Sequence, residues 1–140
     1  MSNNKQSSLD KEFVLYQEAL ALKELGFDEP CLSIYDKDGK LQRSLLEYPI
    51  INSKNGFHEH WNIITAPLYQ QAFRWFREKY GLHSTITSIS QESWQWHITK
   101  SGESLGKLYD EDFYTYEDAE LACLKKLIEI SKQGGNNEQQ

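Results

Sequence analysis

The sequence is poor in the residues that would place it in a specialised class. Its 140 residues include two cysteines and three prolines. Two thiols, Cys31 and Cys123, do not make the disulfide framework of a small secreted domain. No apolar run approaches the roughly 18 residues that a membrane span needs. The opening MSNNKQSSLD lacks the apolar core of a secretory signal. Positive charge is also short: 15 Lys and Arg stand against 21 Asp and Glu, a net charge of −6. Nonspecific attachment to DNA, RNA or anionic membrane rests on an excess of Lys and Arg, so the composition disfavours all three. No Walker loop, dinucleotide glycine pattern, nucleophile elbow or zinc-protease helix occurs. These absences point to a cytoplasmic, non-enzymatic protein without a cofactor.

The residues present describe one α+β domain over 9–132, long enough to bury a core without staples. Polar tails at 1–8 and 133–140 are expected to be disordered, because neither buries enough apolar surface to offset ordering entropy. A first helix is read from Phe13 to Leu25. Leu15, Ala19, Leu22 and Leu25 share a side, Gln17, Glu18, Lys23 and Glu24 are left for solvent, and Gly26 ends it. A hairpin follows, Cys31–Tyr35 with Leu32 and Ile34 on its inner face, a type I′ turn at Asp38-Gly39, and a return over Leu41–Leu45. Residues 46–64 resist assignment. Pro49 argues against a central strand, and Trp61–Ile64 reads as a short one.

Thr65 is expected to cap a second helix with Pro67 in its first turn, running to Tyr80 with Tyr69, Ala72, Phe73 and Phe76 inward. A second hairpin covers Ser84–Ile89 and Ser93–Thr99, and Ser101-Gly102 turns into a third strand near Leu105–Tyr109. The last helix starts at Thr115, where Thr115 and Asp118 match a capping box, and ends near Ser131, with Gly134-Gly135 as a stop. The order is α-ββ-α-ββ(β)-α, with three helices on one face of a small, mostly antiparallel sheet. Tyr16-Gln17-Glu18-Ala19, Tyr69-Gln70-Gln71-Ala72 and Tyr116-Glu117-Asp118-Ala119 repeat one pattern. Two explanations are open: a duplicated helix–hairpin unit, or one shared solution to starting a helix.

At these same segments the chain has a resemblance. YQEALALKELGFDEPC (16–31), TAPLYQQAFRWFREKYGL (65–82) and YTYEDAELACLKKLIEI (114–130) resemble blocks of a family of small uncharacterised proteins of Bacteroidetes phages and mobile elements. The resemblance implies a phage or prophage context. It brings no activity, cofactor or catalytic residue.

Few residues invite chemistry. His58 and His60 alternate, so in an extended segment both imidazoles point to one side and could share a metal ion with further ligands. Asp36 and Glu47 are spaced as positions one and twelve of a calcium loop, but Lys40 and Leu41 occupy the places of a ligand and a glycine. Cys123 falls in an apolar stripe, where thiols are inert. Trp94 and Trp96 share a strand face that could stack bases, and Arg74 and Arg77 share a helix face with Gln70. The polar alternates Gln95, His97 and Thr99 argue that both tryptophans turn inward. Glu120 falls between Leu124 and Leu127 on the helical wheel, away from the polar side. The leading expectation is therefore an accessory protein that binds another protein, of host or phage. The alternatives are a nucleic-acid binder using Arg74, Arg77, Trp94 and Trp96, and a metal-binding protein or enzyme centred on His58 and His60. An unburied sheet face or edge would also support a homodimer.

Overall fold

The computed structural model describes residues 9–43, 64–107 and 112–137. His58, His60, Pro49 and the tail at 1–8 lie outside them. The class is α+β, and among the described residues the strands form two three-stranded antiparallel sheets where the alternation pointed to one. The chain divides into two compact units, Met1–Tyr69 and Gln70–Gln140.

In the first unit, helix α1 (Tyr16–Glu24) precedes strands β1 (Ser33–Tyr35), β2 (Leu41–Arg43) and β3 (Ile64–Ala66), in the order β2-β1-β3. The inner face of β1 differs from the expected one. Ser33 and Tyr35 are buried, as is Cys31 just before them, and Leu32 is 59% exposed. A long-range bond sets this choice: the Tyr35 hydroxyl donates to the Val14 carbonyl at 2.6 Å. A buried tyrosine needs a partner for its polar tip, and Val14 supplies one only on that side. Glu18, expected at the surface, is likewise buried. Leu15 lies outside the helix as its N-cap residue and is exposed.

The β1–β2 turn is a three-residue loop rather than a two-residue type I′ turn. The Gly39 N–H donates to the Asp36 carbonyl, and Asp36 N–H donates to Lys40. Gly39 takes φ +77° while Asp38 stays out of the left-handed region, the pattern of a type I turn closed by a glycine bulge. The Asp36 carboxylate accepts from the Asp38 and Lys40 amides and from Gln42. Those bonds hold its pKa below the ordinary aspartate value, with the Lys40 amide the largest cause. Asp36, the first position of the suggested calcium loop, is thus accounted for by a turn, and Glu47 lies outside the described residues.

Thr65 and Pro67 belong to β3 and its exit, not to a helix start. The Val14 N–H donates to the Pro67 carbonyl at 3.0 Å, and Phe13 bridges Leu68. These contacts keep the chain extended until α2 (Tyr69–Tyr80) begins.

In the second unit α2 leads into strands β4 (His83–Ser90), β5 (Ser93–Lys100) and β6 (Glu103–Lys107), a meander in the order β4-β5-β6, and then α3 (Tyr116–Asn137). Gly81 ends α2 at φ +67°, and the Leu82 amide closes back on the Phe76 carbonyl. Thr115 caps α3 as expected: its Oγ1 accepts from the Asp118 amide at 3.1 Å. Helix α3 runs through Gly134-Gly135 to Asn137, past the expected stop. Glycine ends a helix by taking positive φ; neither of these does, so each costs only about 1 kcal/mol of propensity.

All three helices begin at the tyrosine of the shared pattern. The units part company after their first hairpin, since the first strand is central in one sheet and the second strand in the other.

Candidate functional site

Helix α3 packs against β4 and β5, and strand alternation assigns the side chains. Trp96 and Ile98 point to the helix side and are buried, Trp96 at 3% exposure. Trp94 is half-buried, edge-on to Tyr116 with ring centroids 5.3 Å apart. Its backbone pairs with Phe113 through two hydrogen bonds. Trp96 is core and offers no stacking surface. On α3 itself, Ala119, Glu120, Cys123, Leu124, Leu127 and Ile128 are buried, so the odd wheel position of Glu120 is an inward one.

The opposite face of this sheet is open. It carries His83, Thr85, Thr87 and Ile89 from β4, beside Gln95, His97 and Thr99 from β5, in the register Thr85 to His97 and Thr87 to Gln95. A shallow depression of about 190 Å³ runs among Thr85, Thr87, Ile89, Gln95, Trp96 and His97. None of these side chains is a Lys, Arg, Asp or Glu, in a chain that is 26% charged. Ile89 is 54% exposed. Hydrogen bonds hold the face in place: Gln95 donates to the Asp112 carboxylate at 2.7 Å, and His97 Nε2 lies 2.9 Å from Ser104 Oγ. Tyr114, 82% exposed, follows the pinned Phe113 and precedes the capping Thr115.

A histidine on a serine hydroxyl is the beginning of a nucleophile–base pair. Among the described residues nothing hydrogen-bonds the second ring nitrogen of His97, and the depression beside it is shallow. It ties β5 to β6. Sequence reasoning placed Gln95, His97 and Thr99 on the outer face but passed over what they share, the lack of charge. That signal was present in the residues of β4 and β5.

Arg74 and Arg77 lie exposed with Gln70 along α2. Arg74 is 4.0 Å from Glu78, which offsets its charge. Trp96, buried, presents no ring face for a base to stack on. Among the described residues no cluster of His, Cys, Asp or Glu could hold a metal ion. No helix among them is long and apolar enough to cross a membrane.

Both thiols are buried. Desolvation by burial pushes Cys31 and Cys123 up to about 12, against a hydrogen bond from Thr65 in one case and Ser84 in the other. The thiolate is the reactive form. Native protein at pH 8 is therefore expected to resist a thiol-specific chromogenic reagent, and urea-unfolded protein to react at both cysteines. Rapid labelling of the native chain would contradict this packing.

The chain matches no protein-family model, no curated protein and no solved structure.

Proposed function

We propose that this is a non-enzymatic accessory protein that works by binding another protein through the open face of β4 and β5. The observation that carries the reading is the exposed face of β4 and β5, whose strand residues from His83 to Ile89 and from Gln95 to Thr99 carry no Lys, Arg, Asp or Glu, with the Asp112 carboxylate at its edge on Gln95. The centres of protein interfaces are depleted of Lys and Glu, and the strand residues of this face include neither. Hydroxyls, an amide and imidazoles give directional hydrogen bonds, Ile89 adds apolar area, and Tyr114 is an aromatic of the kind that anchors interfaces. The net charge of −6 favours a partner with a basic surface. The resemblance to proteins of Bacteroidetes phages and mobile elements supports a partner from such a host, or from the phage itself.

The test is affinity capture from nuclease-treated Bacteroidetes lysate with the wild type and the double variant His97→Glu/Thr99→Glu. Both positions lie on the central strand, and the variant buries unpaired charge in the proposed contact. A discrete protein partner is expected with the wild type. Recovery should fall roughly tenfold or more with the variant, the effect of about 1.4 kcal/mol, while circular dichroism is unchanged. Equal recovery by both proteins, or enrichment that disappears with nuclease, would overturn the reading.

A further inference from the structure

The outer edge of the second sheet carries a separate inference. Among the described residues β4 pairs only with β5, and its other edge is unpaired. It is eight residues long, His-Ser-Thr-Ile-Thr-Ser-Ile-Ser, exposed over most of its length. Natural sheets protect such edges with lysine, proline or short strands; β4 has no Lys or Pro. A bulge at Ser88–Ser90 affects only its end. The other edge of the sheet, β6, is shorter and has a charged residue at each end.

Residues 84–88 read Ser-Thr-Ile-Thr-Ser, a palindrome about Ile86. We infer that β4 pairs antiparallel with β4 of a second copy, on a two-fold axis through Ile86, to make one continuous six-stranded sheet. In that register Ile86 meets itself, Thr85 meets Thr87, and Ser84 meets Ser88. Each pair is like with like in shape, and cross-strand threonine pairs and β-branched pairs are favourable. Opposed residues share a face, as an isologous contact requires. The ends are complementary in charge. The turn after β4 holds the exposed Glu92, which comes alongside the entry to β4 in the other copy, where the last turn of α2 carries Arg77, Glu78 and Lys79, net positive. The two-fold axis repeats that juxtaposition. No like charges are brought together on the strand itself, although each copy is acidic overall. A different protein adding a strand here would need no palindrome, so a second copy is the occupant.

The inference stands on the edge of β4 and is independent of the partner proposed for the open face. Sedimentation equilibrium of the full chain over a concentration series is expected to show a dimer. Directly opposed residues in antiparallel strands have Cα atoms roughly 4.5–5.5 Å apart, within disulfide reach. Ile86→Cys is therefore expected to form a covalent dimer on treatment with diamide. Thr87→Cys alone should cross-link poorly, but a mixture of Thr87→Cys and Thr85→Cys should cross-link well. The buried Cys31 and Cys123 supply no background. If Ile86→Cys fails to fold, the mixed pair still reads the register. A wild type that is monomeric at every concentration, or a dimer whose cross-linking ignores this pattern, would overturn the inference.

Discussion

Trp96→Ala is expected to cost about 3–5 kcal/mol, the range for removing a large buried aromatic. Trp96 is 3% exposed on the strand that α3 covers. Its loss empties the space between β5 and the helix, and small domains have only about 5–15 kcal/mol to lose. Trp94→Ala should cost much less, about 1–2 kcal/mol, because Trp94 is half-buried and contributes chiefly its edge contact with Tyr116. Trp96→Phe should preserve most of the stability. The Trp96 indole N–H has no hydrogen-bond partner among the described residues, so phenylalanine removes an unsatisfied donor while it gives up some volume. Urea unfolding followed by far-ultraviolet circular dichroism ranks the three variants. Equal losses for Trp94→Ala and Trp96→Ala would contradict the burial that separates them.

Tyr35 should show the second large effect, in two parts. Tyr35→Phe keeps the ring, which meets Tyr16 edge-on at 5.6 Å, and leaves the Val14 carbonyl without its donor. That loss is worth about 1–3 kcal/mol. Tyr35→Ala removes the ring as well and should cost about 3–5 kcal/mol. The difference measures packing, and the first step measures the bond. Val14 is held on both sides, its carbonyl by Tyr35 and its amide by Pro67. Tyr35 therefore ties the segment before α1 to the first sheet.

The phenol has a pH signature too. Burial, with Glu18 and Asp10 nearby, raises it from 10.0 to about 12. An acid whose folded pKa is raised keeps its proton longer in the native state than in the unfolded one. Its contribution is complete below pH 10 and is lost as the pH rises from there to about 12. Wild-type stability should fall across that window, and Tyr35→Phe should flatten the fall.

Local patterns were legible wherever the cause was local. The cap at Thr115 needs only Asp118, three residues on, and the Ser93–Thr99 strand needs only its own alternation. Glu120 was legible as an inward residue because a helical wheel is a property of ten residues. The β1 face was not legible. Leu32 and Ile34 outrank Ser33 and Tyr35 in hydrophobicity, and the bond that reverses the order comes from Val14, distant in sequence. Thr65-Ala66-Pro67 has the composition of a helix start, and only its contacts with Phe13 and Val14 hold it extended. The open face was half legible: its members could be assigned by alternation, but their exposure depended on where α3 packed.

Alone, then, the sequence determined the α+β class, helices at the three segments that share the tyrosine pattern, the hairpin over β4 and β5, the palindrome in β4 and the acidic balance. All of these arise from steric and hydrogen-bonding preferences within a few residues, or from composition. The tertiary structure decided that the strands divide between two sheets, that Tyr35 and Trp96 are core, and that the face bearing Thr85, Thr87 and His97 is open to water. Burial is settled by groups far apart in the chain competing for the same space and the same hydrogen-bond partners, and short-range preference cannot rank those outcomes.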